Sequence, residues 1–322
     1  GPDEKGRKAK LRLDDEVSAK SDRQGDIAIV PGKPEASSLI QRIESKDPDE
    51  VMPPPKQHKT ISPEQLALLK TWIRQGAKWG KHWSYEPVAA VKVPANGEAN
   101  PIDAFLLERL RREKLAFSAR ADQALLIRRT ALDLTGLPPS AQEMEAFLNN
   151  PAPDAYEKAV ERLLSSPRFG ERWARHWMDV ARYSDTKGLP APINSDRRFH
   201  FAYSYRDYLI DAYNADKPFD QLIREQLAAD MLPQDPEKKA LAALGFITVG
   251  RCFQNQINDI VDDRIDVVTK GLLGLTVTCA RCHDHKFDPI PTADYYSMHG
   301  IFMSCEEPKE RPIIGNPEAA PG

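Results

Sequence analysis

Cys279-Ala-Arg-Cys282-His283 places two thiols three positions apart, with an imidazole directly after the second. This C-x-x-C-H pattern is that of covalent c-type haem attachment, in which the thiols add to the porphyrin vinyl groups and the imidazole becomes the proximal iron ligand. Two intervening residues let both sulfurs meet one edge of a macrocycle, and the next residue then aims its ring nitrogen at the metal. Three other chemistries use the same residue types. A redox Cys-x-x-Cys opens a helix directly after a strand in a βαβ unit, whereas the surroundings here are helical and polar. A zinc site would take Cys279, Cys282 and a histidine, with a further ligand from Cys252, Cys305, His285 or His299, but no second Cys-x-x-Cys completes the usual pairing. A disulfide across so short a loop would remove little chain entropy. Haem c, held at Cys279 and Cys282 with His283 on the iron, is therefore the leading reading, and a scaffold stapled by a Cys/His-bound metal is retained beside it.

Pro167 to Asp185 is the second stretch dense in chemistry. At helical spacing Arg172, His176 and Asp179 share one face over neighbouring turns, as do Arg175, Asp179 and Arg182. Either this is a buried histidine satisfied by carboxylate and guanidinium, or His176 is an axial iron ligand with Arg175 and Arg182 holding haem propionates. The group opposite His283 decides between an electron carrier and an iron open to small molecules. His176 ranks first for that place, ahead of His200, His299, Met298 and Met303. His285 lies two residues beyond His283 and cannot swing to the opposite side of the same ring, so it reads as a propionate contact or a group behind the ligand. His176, Asp179, Arg182 and Asp185 are also the candidates for acid–base catalysis, in an enzyme that would oxidise extracellular carbohydrate with the haem as electron acceptor.

The elements that must position these residues read as mostly α. A charged fraction of 29 % with a net charge of −3 gives neither a nucleic-acid footprint nor an acidic tail. No apolar run is long enough to span a membrane. Twenty-seven prolines against 17 glycines suggest short helices broken by rigid turns. The chain starts at Gly1-Pro-Asp-Glu4 without Met or a signal peptide, and reads as a piece of a longer protein. Cys252 and Cys305 are left over after the haem pair, either as one disulfide closing a long loop or as two free thiols.

Leu39, Ile40 and Ile43 make an apolar stripe within 35–46, and Met52-Pro-Pro-Pro55 follows in an extended conformation. Ser62-Pro-Glu-Gln65 is a capping box opening a helix to Gly76. The Pro- and Gly-punctuated 87–101 reads as a linker. Further helices are predicted from Ile102, over 124–134, from Ser140 to Phe147, from Asp154 to Leu164 and from Pro167. Beyond them come 203–214 with Tyr205, Tyr208, Leu209 and Ala212 inward, and 219–231 with Leu222, Ile223, Leu227 and Met231 inward. A long helix over 255–275 would feed the haem motif, and 292–302 would close the fold. Residues 186–200 read as a surface loop and 309–322 as a flexible tail.

Two resemblances follow from these blocks. Val30-Pro-Gly-Lys-Pro-Glu-Ala-Ser-Ser-Leu-Ile40, Met52-Pro-Pro and Leu69-Lys-Thr-Trp-Ile-Arg-Gln-Gly-Ala77 resemble the later part of the first planctomycete cytochrome C domain. There the haem motif sits just before Gly-Pro-Asp-Glu, and the Met of Met-Pro-Pro looks like the distal ligand. The resemblance implies that 1–86 is a truncated cytochrome c-like domain without its own attachment motif, with Met52 a ligand only for that missing haem. From 102 to 308, Arg128-Arg-Thr-Ala-Leu-Asp-Leu-Thr-Gly-Leu-Pro-Pro139, Pro167-Arg-Phe-Gly-Glu-Arg-Trp-Ala-Arg-His-Trp177, Asp216-Lys-Pro-Phe-Asp220 and Cys279 to Ile290 resemble the second planctomycete cytochrome C domain, a domain of unknown function. Met178 stands where that family usually has Leu, which speaks against it as an iron ligand. The resemblance implies export to the periplasm or cell surface and fusion to further domains. On the haem reading the chain is an electron-transfer module that exchanges electrons with a redox partner protein or with a C-terminal region of the same polypeptide.

Overall fold

A computed structural model describes residues 11–80, 83–186, 198–250, 256–306, 308–310 and 312–315. The chain is mostly α-helical, as the periodicity predicts. By its contacts it forms two compact units, one running through Phe117 together with Lys286–Asp288, the other Ser118–His285 with the residues from Pro289 onward. No helix among the described residues is long and apolar enough to cross a membrane.

The first unit holds α1 (Glu16–Lys20), a two-residue hairpin of β1 (Asp22–Arg23) and β2 (Asp26–Ile27), α2 (Ser38–Glu44), α3 (Pro63–Arg74) and α4 (Pro101–Arg112). The Ser62 box forms as predicted: the Ser62 hydroxyl accepts from the Gln65 N–H at 3.3 Å while the Gln65 side chain accepts from the Ser62 N–H at 2.9 Å. Ile29, Ile40 and Ile73 meet in its core with Ala19, Ala28 and Ala77, and Trp72 and Trp79 pack against them. Met52 is half-buried, its N–H bonded to Arg42 O at 3.0 Å. α4 falls in this unit, where Asn96 Nδ2 donates to Ala104 O at 2.7 Å.

The second unit is an assembly of α5 (Gln123–Thr135), α6 (Ala141–Leu148), α7 (Ala155–Leu164), α8 (Pro167–Val180), α9 (Ala202–Asn214), α10 (Phe219–Ala228), α11 (Ile257–Val268) and α12 (Thr292–Met303). α8 lies along α9, and α10 and a 3-10 segment, Lys239–Ile247, pack beside them. The inward face of α9 is the predicted one: Tyr205, Tyr208, Leu209 and Ala212 are buried. Each large side chain so buried contributes about 1.5–3 kcal/mol. Their polar atoms are satisfied, since Gln226 Oε1 accepts from both Tyr205 OH and Trp177 Nε1 at 2.7 Å.

Two predicted helices are shorter than expected. α10 ends at Ala228 and passes into a 3-10 turn, so Met231 is 80 % exposed rather than inward. The continuous helix expected over 255–275 keeps α geometry only to Val268, then widens into a π turn over Thr269–Leu273 and stops at Gly274. Thr269 Oγ1 bonds back to Ile265 O at 2.8 Å, and Gly274 supplies the left-handed φ of 67° that turns the chain toward the cysteines. The predicted loop at 186–200 lies largely outside the described residues.

Candidate functional site

Residues 277–281 wind as a 3-10 turn. In that geometry positions i and i+3 fall on the same side. Val277 and Ala280 are the inward pair, packed with Val261 and Ile265 of α11, Ile290, and Tyr295 of α12. The outward side is therefore left to Cys279 and Cys282, both exposed free thiols on one edge of the turn. The hydrophobic anchor thus fixes which way the sulfurs face. Around it, Thr278 Oγ1 donates to Asp266 at 3.0 Å, Arg281 pairs with Asp259 at 3.3 Å, Tyr295 OH donates to Asp262 at 2.7 Å and Tyr296 OH donates to Arg281 O at 3.2 Å. Burial and the Asp262 carboxylate push the Tyr295 hydroxyl well above its ordinary titration range, so it stays a donor.

His283 is exposed, and its Nδ1 lies 2.8 Å from Asp284 O. A carbonyl oxygen only accepts, so Nδ1 carries the proton and Nε2 keeps its lone pair. That is the tautomer a metal-ligating imidazole needs, with its second nitrogen fixed by a backbone oxygen. Two accessible thiols and one available imidazole nitrogen on the same turn fit a covalently held haem.

His285 does not share that face. It is 8 % exposed, its Nε2 lies 2.9 Å from Thr276 Oγ1, and its N–H donates to Ile290 O at 2.9 Å. These two bonds tie the ends of the loop carrying the cysteines. Asp284 caps the start of α12 by accepting from the Thr292 N–H at 2.9 Å.

The second predicted site is not brought together. α8 buries Gly170, Ala174 and Met178, the i, i+4, i+8 stripe, and this puts Arg172, Arg175, His176 and Asp179 outside. His176 is thus exposed, not buried, and rests near the Trp173 ring at 5.6 Å. Arg175 and Asp179 pair with each other at the surface, one helical turn apart. Asp185 accepts from Tyr183 OH at 2.7 Å. Arg182 alone turns inward, to pair with Asp263 of α11. The spacing gave these residues a common face but could not say which face was buried. Met178 packs in the core of the second unit.

Removing the Arg182 guanidinium strands a carboxylate whose surroundings already disfavour its charge: burial pushes Asp263 up, and Arg182 pulls against it. Arg182→Met is expected to cost about 2 kcal/mol at pH 7. A raised folded-state pKa favours the protonated form, so the deficit shrinks as pH falls toward the ordinary aspartate value of 3.8 and grows as pH rises above it. Urea unfolding at pH 4.5 and 7 reads both.

The remaining candidates are dispersed. His200 lines an apolar cavity of about 480 Å³ beside Tyr205 and Val249. His299 Nε2 lies 3.3 Å from Asn258 Oδ1, Met298 is partly buried against the α11–α12 cluster, and Met303 is 43 % exposed. Cys305 is an exposed free thiol rather than half of a disulfide, and Cys252 lies outside the described residues. Among the described residues no group of three or more His, Cys, Asp or Glu side chains is placed to hold a metal ion.

The family PSCyt2, a protein of unknown function (DUF1549), matches residues 101–307. PSCyt1, planctomycete cytochrome C, matches residues 1–56. No curated protein and no solved structure matches the chain.

Proposed function

The chain belongs to the PSCyt2 family, preceded by a planctomycete cytochrome C segment, and from that premise we propose that it is a c-type haem electron-transfer module of an exported, multidomain protein. One observation carries the reading: Cys279 and Cys282 stand outward on one turn, beside a His283 whose Nδ1 is tied to a carbonyl and whose Nε2 is left for iron. A bound haem supplies one-electron chemistry between ferrous and ferric iron.

The chain's own part is to hold that group rigidly. Val277 and Ala280 anchor the turn, His285 clamps its ends, and the Arg281–Asp259–Asp262–Tyr295 set fixes α11 and α12 behind it. Rigid attachment suits electron transfer, because little reorganisation follows a change of iron charge. The carbohydrate-oxidising alternative would rest on His176 and Asp179, exposed on α8, while Arg182 pairs with Asp263 and Asp185 accepts from Tyr183 OH. The partner on this reading is another redox protein or a further domain of the same polypeptide.

The test is to mature the chain in a periplasm competent for c-type haem attachment and measure intact mass and the pyridine haemochrome spectrum. One haem per chain is expected, absent in Cys279→Ser/Cys282→Ser, with reversible reduction of the wild type. A wild-type chain weighing no more than its polypeptide overturns the reading.

A further inference from the structure

A second feature of the PSCyt2 region stands apart from the thiols and rests on other residues. Phe169 and Trp173 of α8, Tyr213 of α9 and Phe219 of α10 line a cavity of about 290 Å³, closed at the α9–α10 turn by Asp216 and Lys217. Trp173 is 38 % and Phe219 58 % exposed, a large share for such rings in a helical domain. The Phe169 and Trp173 centroids are 6.0 Å apart with planes tilted by 40°, so the rings wall a space rather than stack shut.

Charge and hydrogen-bonding capacity decide what fits. Lys217 is engaged elsewhere: its Nζ is 2.5 Å from Glu225 and 4.9 Å from the Tyr208 ring centre, so its charge is offset from behind. Asp216 has no ion-pair partner among the described residues, which leaves the cavity with aromatic faces and one negative charge. Aromatic faces attract cations through their quadrupole. A primary ammonium would bring three N–H donors to a wall that offers one carboxylate, and a sugar would leave most of its hydroxyls unpaired. A quaternary ammonium carries positive charge with no N–H to satisfy and is weakly hydrated.

We propose that this cavity binds a small quaternary ammonium compound, with the alkylated nitrogen among Phe169, Trp173, Tyr213 and Phe219 and its charge balanced by Asp216. The site does not depend on haem at Cys279 and would operate in the unloaded chain as well.

Choline chloride titrated into the full chain, against equal sodium chloride, tests it by calorimetry and by the tryptophan indole N–H resonances. A dissociation constant on the order of 1 mM is expected. The uncharged isostere 3,3-dimethylbutan-1-ol should bind at least about tenfold more weakly. Asp216→Asn should weaken choline about fivefold; asparagine tolerates the left-handed φ of 48° found there. Trp173→Leu should abolish binding, and Phe219→Ala, at a more exposed ring, supplies the same loss if the leucine variant fails to fold. Equal binding of choline and its neutral isostere, tighter binding of methyl glucoside, or no response to choline would each overturn the proposal.

Discussion

Gly170→Ala is expected to destabilise the second unit by about 3 kcal/mol, from overpacking at a helix contact plus a disturbed hydrogen bond. A Cβ built at Gly170 falls 2.5 Å from Ile210 O and 2.6 Å from the Asn214 side chain, and the first of these is backbone that cannot rotate away. The same approach lets the Gly170 N–H donate to Asn214 Oδ1 at 2.8 Å. One methyl group would therefore force α8 and α9 apart along the seam that buries Ala174, Met178, Tyr205 and Leu209. For a unit of this size the loss corresponds to a fall in melting temperature of about 6–12 °C. Thermal unfolding followed by circular dichroism reads it; a change under about 2 °C would mean that the helices have slack there.

Glu225→Gln should cost a comparable amount, about 3 kcal/mol, by a different route. Glu225 is 5 % exposed and accepts at Oε2 from Lys217 Nζ at 2.5 Å and Tyr208 OH at 2.6 Å, and at Oε1 from Gln221 Nε2 at 2.8 Å. Burial by itself raises its carboxyl, but the bonds from Lys217, Tyr208 and Gln221 outweigh it and hold the group below its ordinary value. The amide keeps the shape and removes the charge, so the Lys217 ammonium is left without its counter-ion. Because the folded-state pKa is depressed, the wild-type contribution is complete above the ordinary glutamate value of 4.5 and is lost as pH drops through the lower folded value. Wild type and variant should therefore converge in acid. Replacing both members together, Lys217→Met with Glu225→Leu, should recover most of the loss, since a matched apolar pair carries no stranded charge. Chemical denaturation of the wild type and the two variants across pH 3 to 7 checks the sign; a deficit independent of pH would point to packing instead.

Much of the local structure was legible in the chain itself. The two capping boxes, at Ser62 with Gln65 and at Ser140 with Glu143, are short-range hydrogen-bond patterns, and both form as written. The inward set of α9, Tyr205, Tyr208, Leu209 and Ala212, falls at the helical spacing of its apolar residues. In α8 the inward stripe is Gly170, Ala174 and Met178. Gly170 and Ala174, two small residues four apart, were the sign in the sequence of a close helix contact on that side.

The order of the helices and the spacing of two thiols and an imidazole can be read from the residues alone, because helix formation and residue separation are local properties. The direction in which those groups face depends on packing between distant elements. Val277 and Ala280 had to find α11 and α12 before Cys279 and Cys282 could be outside, and α8 had to meet α9 before His176 was turned to solvent. A helical or 3-10 period sorts residues into faces, but the choice of the buried face belongs to whichever distant surface removes more apolar area from water.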